Sequence, residues 1–141
     1  MVEWARENAA LNRLQSAPIR WIVDDVSKFL DRERRRGRQY DGFILDPPSY
    51  GRGASGEIFK IETDLPLLLR AIRQLMSDTP LGIMLSCHTP ELTPIALAHV
   101  LGQEMEGVRG GRLEHGEMLL RGPGDPVLPV PSGSYARWMA I

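Results

Sequence analysis

"YDGFILDPPSYGRG", residues 40–53, decides how this chain is read. Gly42, Phe43, Ile44 and Leu45 suit a buried strand, which stops at Asp46. Pro47 and Pro48 lack an amide hydrogen and fix their own φ, so neither strand pairing nor an ordinary helix passes through them. Gly51 and Gly53 free the backbone that follows. The stretch therefore predicts a rigid lip at a strand end with a carboxylate at its rim. In open α/β sheets, ligands sit beyond that rim.

Working outward, the pattern alternates helix and strand. Residues 2–14 are helix formers with no entry cap, and "PIRWIV" (Pro18 to Val23) reads as a strand ending at Asp24 and Asp25. "VSKFLDRERRRG" reads as a helix with Phe29 and Leu30 inward and Gly37 as its stop. "DLPLLLRAIRQLM" is the clearest helix, with Asp64 as cap, Pro66 in the first turn and one broad apolar face. "LGIMLSC" is an apolar run of strand length, expected to be covered on both faces. "LTPIALAHVLGQEM" begins with Thr93 as cap and Pro94 in the first helical position. Beyond Gly111, "RLEHGEMLLRG" and "GSYARWMAI" read as two strands joined by the Pro/Gly-rich "PGDPVLPVPS". The predicted fold is α/β, a parallel sheet with helices on both faces, finished by an antiparallel hairpin.

Bulk properties narrow the function. With 141 residues, 43% hydrophobic and 25% charged, the chain has the composition of one packed domain rather than a disordered segment. The net charge of −1 supplies no general attraction to nucleic acid or membrane, so a polyanion has to be met by a local patch. A single cysteine, Cys87, cannot close an internal disulfide, which fits a reducing compartment. No apolar run is long enough to span a bilayer, and the N-terminus does not read as a signal peptide. A cytoplasmic protein with no membrane partner is expected.

Each candidate residue has a structural and a functional reading. Asp24 and Asp25 stand where a strand turns into a helix; either caps the helix, or accepts a hydrogen bond from a ligand's amino group or sugar. Asp46 is sharper, because a turn needs neither two prolines nor an acid before them. At a strand end its carboxylate can accept from an amine, orient a cation or act as a base. Cys87 closes the next strand, as a small core filler or as a nucleophile whose pKa something must lower. His88, its neighbour in sequence, should point away from it. The arginines 32, 34, 35, 36 and 38 form either a solvated helix end or a phosphate contact. No histidine has metal-ligand spacing with another ligand type, so no metal is expected.

"WARENAALN", "IRWIVDDVSKFL", "YDGFILDPPSYGRG", "LSCHTPELTP" and "PSGSYARW" together resemble class I S-adenosylmethionine-dependent methyltransferases. The likeness is to the bacterial branch that includes 23S ribosomal RNA cytosine-5 methyltransferases, and "DPPSYGRG" followed by "GEIFKIETDLPLLL" is its most specific part. The resemblance implies a Rossmann-like sheet, S-adenosylmethionine as cofactor and RNA as substrate. It implies that Asp25, or Asp24, contacts the adenine end of the cofactor. Asp46, Pro47 and Pro48 would line the pocket near the reacting methyl, with Pro48, Ser49 and Tyr50 toward the substrate. Cys87 would attack C6 of a cytosine so that C5 takes the methyl. Many such enzymes carry a second cysteine in the loop after the fourth strand, where this chain has Ser49.

The family's sheet order is 3-2-1-4-5-7-6, and its glycine-rich cofactor loop follows the first strand. Neither that strand, nor the loop, nor the second strand is found within residues 1–141, which read as the C-terminal portion of a catalytic domain. "IRWIV" and "FILD" are then expected to pair directly, to have another chain between them (a homo-oligomer through the exposed sheet edge being one form), or to be loose. Weak or absent binding of S-adenosylmethionine by the chain alone follows. The rivals are a non-catalytic half-domain serving as an association partner, a truncated reading frame, and a nucleotide-binding protein such as a dehydrogenase. The proline lip and the missing nicotinamide fingerprint count against the last.

Overall fold

The computed structural model describes residues 2–53, 56–108, 110–124 and 127–141. In chain order the elements are α1 (Val2–Leu11), α2 (Val26–Arg35), β1 (Gly42–Leu45), β2 (Tyr50–Arg52), β3 (Ile58–Lys60), α3 (Ile61–Arg73), β4 (Gly82–Cys87), α4 (Pro94–Glu104), β5 (Gly111–Leu120) and β6 (Val130–Ala140). The main sheet has the order β1-β4-β6-β5. β1 and β4 are parallel, with Leu45 opposite Leu85. β6 runs antiparallel to both β4 and β5. This is the 4-5-7-6 end of the sheet order implied by the resemblance, including the terminal hairpin. Residues 125 and 126 of the segment joining that hairpin, and residues 54 and 55 of the stretch after the lip, lie outside the described residues.

The core lies on one face of this sheet. Ile83, Leu85 and Cys87 of β4 and Ala136 and Trp138 of β6 alternate onto that face and are buried there with Leu65, Leu69 and Ile72 of α3 and Leu97 and Leu101 of α4. Alternation puts Ile44 of β1 and Met84 and Ser86 of β4 on the other face, where Ile44 is 88% exposed. β4 is therefore fully covered on one face and only half-covered on the other, less than its apolar run suggested. Gly37 ends α2 at φ 63°, with Arg38 N–H reaching back to Glu33 C=O, so this helix stops where glycine in the left-handed region was expected.

Three local expectations are corrected. Residues 18–23 form no strand. Their one backbone hydrogen bond among the described residues is Ile19 N–H to Ala17 C=O, and Val23 is 86% exposed. A strand exists only by pairing, and β1, the nearest candidate neighbour, pairs with β4 alone. The direct pairing of these two segments does not occur. α3 starts at Ile61, earlier than Asp64; the Asp64 carboxylate reaches back to the Lys60 N–H at 2.7 Å instead of capping from in front. Pro66 consequently lies inside the helix, beyond its first turn. Finally, the proline lip does not end regular structure. Two residues beyond Pro48 the chain enters the β2–β3 ribbon, with Tyr50 opposite Lys60 and Arg52 opposite Ile58.

Candidate active site

Because β1 and β4 are parallel and in register, Asp46 and Cys87 arrive at the same rim of the sheet. Asp46 is displayed there, its side chain 64% exposed. Ser86 Oγ donates to its Oδ1 at 2.7 Å, and His88 Nε2 stands 3.7 Å from the same oxygen, a contact that becomes an ion pair when the imidazole is protonated. Ser86 and His88 were missed in the sequence as neighbours of Asp46. Their signal was in the register: residues 84, 86 and 88 alternate onto the side of the sheet opposite to Cys87.

A cavity of about 1090 Å³ opens between the start of α2, the end of β1, the lip, the ribbon and α3. Asp24, Asp25, Asp46, Pro47 and Pro48 all line it. Its other charged lining residues are Lys28, Asp31, Arg52, Glu57 and Asp64, so carboxylates outnumber cations. Such a wall favours a ligand that brings positive charge or amino hydrogens.

Asp24 and Asp25 also have structural work. Asp25 caps α2, accepting from Lys28 N–H at 2.9 Å. Asp24 accepts from Asp25 N–H at 2.9 Å and pairs with Arg32, whose hydrogen bond is the main cause that holds the Asp24 carboxyl below its usual range. Lys28 is bound to Glu57 across the cavity, and that hydrogen bond raises the lysine's pKa. Sequence reasoning left this cross-link unseen because 29 residues separate its ends.

Three of the five arginines of the basic run are paired with acids on or next to α2. Arg32 pairs with Asp24, Arg34 with Asp31 and Arg36 with Glu33, as expected of a solvated helix end. α2 runs from the cavity at Asp25 to Arg35, which carries its C-terminal arginines away from Asp46.

Cys87, Ser49 and Tyr50 do not line the cavity. Cys87 is 0% exposed, and its sulfur accepts from Thr89 N–H at 3.4 Å. Ser49 Oγ lies 2.6 Å from Thr89 Oγ1, tying the lip to the loop after β4. Tyr50 opens the ribbon and is half-exposed. The structure thus gathers five of the eight sequence-chosen residues around one cavity and leaves the thiol in the core.

The chain is similar to a solved S-adenosylmethionine-dependent methyltransferase from Agrobacterium tumefaciens, with TM-score 0.88 and 35% identity over 98% of this chain and 45% of that one. The fold is that of Rossmann-like methyltransferases. SMU.776, a proposed methyltransferase solved with S-adenosylhomocysteine, overlays at TM-score 0.68 and 22% identity, covering 96% of this chain and 35% of its own, which is a likeness of fold. In sequence, the chain is 26% identical to ribosomal RNA large subunit methyltransferase I of Tolumonas auensis over 99% of its length. It spans about a third of the curated relatives it matches, 35% in this case. No family model matches the chain. Among the described residues no helix is long and apolar enough to cross a membrane.

Proposed function

We propose that this chain is a C-terminal portion of a methyltransferase catalytic domain that takes S-adenosylmethionine and methylates RNA, with large-subunit ribosomal RNA as the favoured substrate. The observation that carries the reading is the solvent-facing Asp46 at the end of β1, on one cavity with Asp24 and Asp25 and behind two prolines. The carboxylate-rich wall suits an adenine amine at one end and a sulfonium at the other. Asp25, with Asp24, would hold the adenine edge, and Asp46 and Pro47 would stand at the methyl end. The cofactor would supply an electrophilic methyl group, and Asp46 would orient what receives it. The glycine-rich cofactor loop that the resemblance implies is not among the cavity's lining residues, which supports weak binding by the chain alone.

Titration with S-adenosylmethionine followed by backbone NMR tests this. Expected are shift changes at residues 24–31 and 44–48 with weak affinity, lost in Asp46→Ala. The absence of change near Asp46 at millimolar ligand would overturn the site. A micromolar dissociation constant from calorimetry would overturn the weak-binding part.

Methylation at cytosine C5 requires the Cys87 thiolate to reach a base, which its burial opposes. The buried sulfur favours a second reading of the target, transfer to nitrogen or oxygen. Cys87→Ala in a complete domain separates them: loss of methylation supports the covalent route, and unchanged turnover removes it.

A non-catalytic role also has an observation behind it, the outer edge of β1, unpaired among the described residues, beside exposed Ile44. In that role the edge joins another chain, or a second copy of this one, and sedimentation equilibrium would show a dimer weakened by Ile44→Lys.

A further inference from the structure

We infer that the outer face of the β2–β3 ribbon is a platform for single-stranded RNA; this rests on the RNA-methylating reading above and names the surface that would deliver the strand to it. The two-residue alternation of a strand, applied to the pairing of Tyr50 with Lys60 and of Arg52 with Ile58, puts these four side chains on one side of the ribbon. Gly51 and Phe59 share the other side. A side chain at Gly51 would meet the Pro48 ring at 3.4 Å and Phe59 Cβ at 3.6 Å, so the ribbon is seated closely on the lip. Phe59 in turn packs against the core. The base of the ribbon is tied down by Ile61 N–H to Ser49 C=O at 3.1 Å. Its outward face is therefore a fixed surface.

That face carries an aromatic ring, an aliphatic side chain and two cations, and no acid. Tyr50 is 52% exposed and Ile58 51%. The Tyr50 hydroxyl, the Arg52 guanidinium and the Lys60 ammonium make no hydrogen bond or ion pair among the described residues. The nearby acids are engaged elsewhere, Glu57 with Lys28 and Asp64 with the Lys60 backbone. Arg52 and Ile58 belong to the cavity wall, whereas Tyr50 and Lys60 lie outside it, so the platform leads from open solvent to the cavity. An unpaired ring flanked by unpaired cations fits nucleic acid: bases stack on the ring and phosphates meet the cations, without dependence on sequence. The cavity itself, rich in carboxylates, would repel a polyanion. This contrast of charge puts the backbone of the strand on the ribbon and only a base toward the cavity.

Fluorescence anisotropy with a labelled 12-nucleotide mixed-sequence RNA and the full 141-residue chain tests the inference. Tyr50→Ala is expected to weaken binding about tenfold, and Tyr50→Phe to retain it, since the stack needs the ring and not the hydroxyl. Arg52→Ala with Lys60→Ala should reduce the slope of log affinity against log salt by about 1.4, at roughly 0.7 per phosphate contact on a single strand. Unaltered circular dichroism keeps each comparison valid. RNA binding indifferent to all three changes overturns the platform and leaves the RNA reading standing. No binding by the unaltered chain also overturns it, while the NMR titration with S-adenosylmethionine judges the methyltransferase reading separately. Competition by anionic lipid vesicles as effective as by RNA, with Tyr50→Ala neutral, would reassign the face to a simple charge contact and overturn the proposal.

Discussion

α1 and α3 are both helices made of good helix formers, yet they contribute to the molecule in opposite ways. α3 buries Ile61, Leu65, Leu68, Leu69 and Ile72, whereas α1 buries nothing. The difference continues beyond them: α3 leads to β4, the centre of the core, and α1 leads to residues 18–23, which join no strand among the described residues. Local propensity is similar in the two regions, so propensity is not what separates them. An apolar face stabilises a fold only when another face meets it, and the partner for α3 is in this chain. Most of the stability should therefore reside between residues 26 and 141.

The widest test of that contrast is Leu85→Ala. Leu85 is 0% exposed in the middle of β4, and its truncation should cost about 2–5 kcal/mol in urea unfolding. A loss under about 1 kcal/mol would mean that β4 is not the centre of the fold.

Next is Glu33, a buried carboxylate that accepts from Tyr40 Oη at 2.5 Å and from Arg36 at 2.9 Å. The Tyr40 hydrogen bond is the chief cause that holds its pKa below the ordinary carboxylate value. A group lowered in the folded state stabilises fully above its unfolded pKa, and that contribution is lost as pH falls through the folded value. Stability should thus decline on acidification below the ordinary glutamate range, and Glu33→Gln should flatten that part of the curve. An unchanged slope in the variant would refute the assignment.

Asp25→Ala removes the α2 cap and should lower stability by about 1 kcal/mol. A result of that size also bears on the site, because the same carboxylate lines the cavity; Asp25→Ser, which keeps a capping oxygen, should restore stability without restoring ligand-induced NMR shifts. Smallest of all is Leu11→Ala in α1. With Leu11 81% exposed, the change should stay within about 0.5 kcal/mol. A larger cost would show that α1 packs on something in solution, and would narrow the gap between the two regions.

Much of this was legible along the chain. Thr93 caps α4 as its position before Pro94 foretold, with Ala96 N–H donating to its hydroxyl at 3.3 Å. Gly37 and the face of α3 were equally readable, since each depends on neighbours within a few residues, and the two strands of the final hairpin showed in their own residues although their pairing joins Gly111 to Ala140. The lip was read correctly up to Pro48 and wrongly beyond it. Proline governs its own residue and the one before, and it does not forbid a ribbon two residues later. At the candidate site, Asp46 stands out in the sequence because rigidity and charge coincide in adjacent residues. Ser86, His88 and Glu57 do not, because Ser86 and His88 reach Asp46 through strand register and Glu57 reaches Lys28 through an ion pair spanning 29 residues.

The sequence by itself determined the alternation of helix and strand, the placement of the caps and the acid at the end of β1, all of which follow from backbone restrictions and short-range periodicity. Tertiary structure decided which of those segments count. It left residues 18–23 unpaired, turned Cys87 into the core and Asp46 to solvent, and drew Asp24, Asp25 and Asp46 onto one cavity. The physical reason is that pairing and burial are properties of two surfaces at once, and a linear chain specifies only one of them at a time.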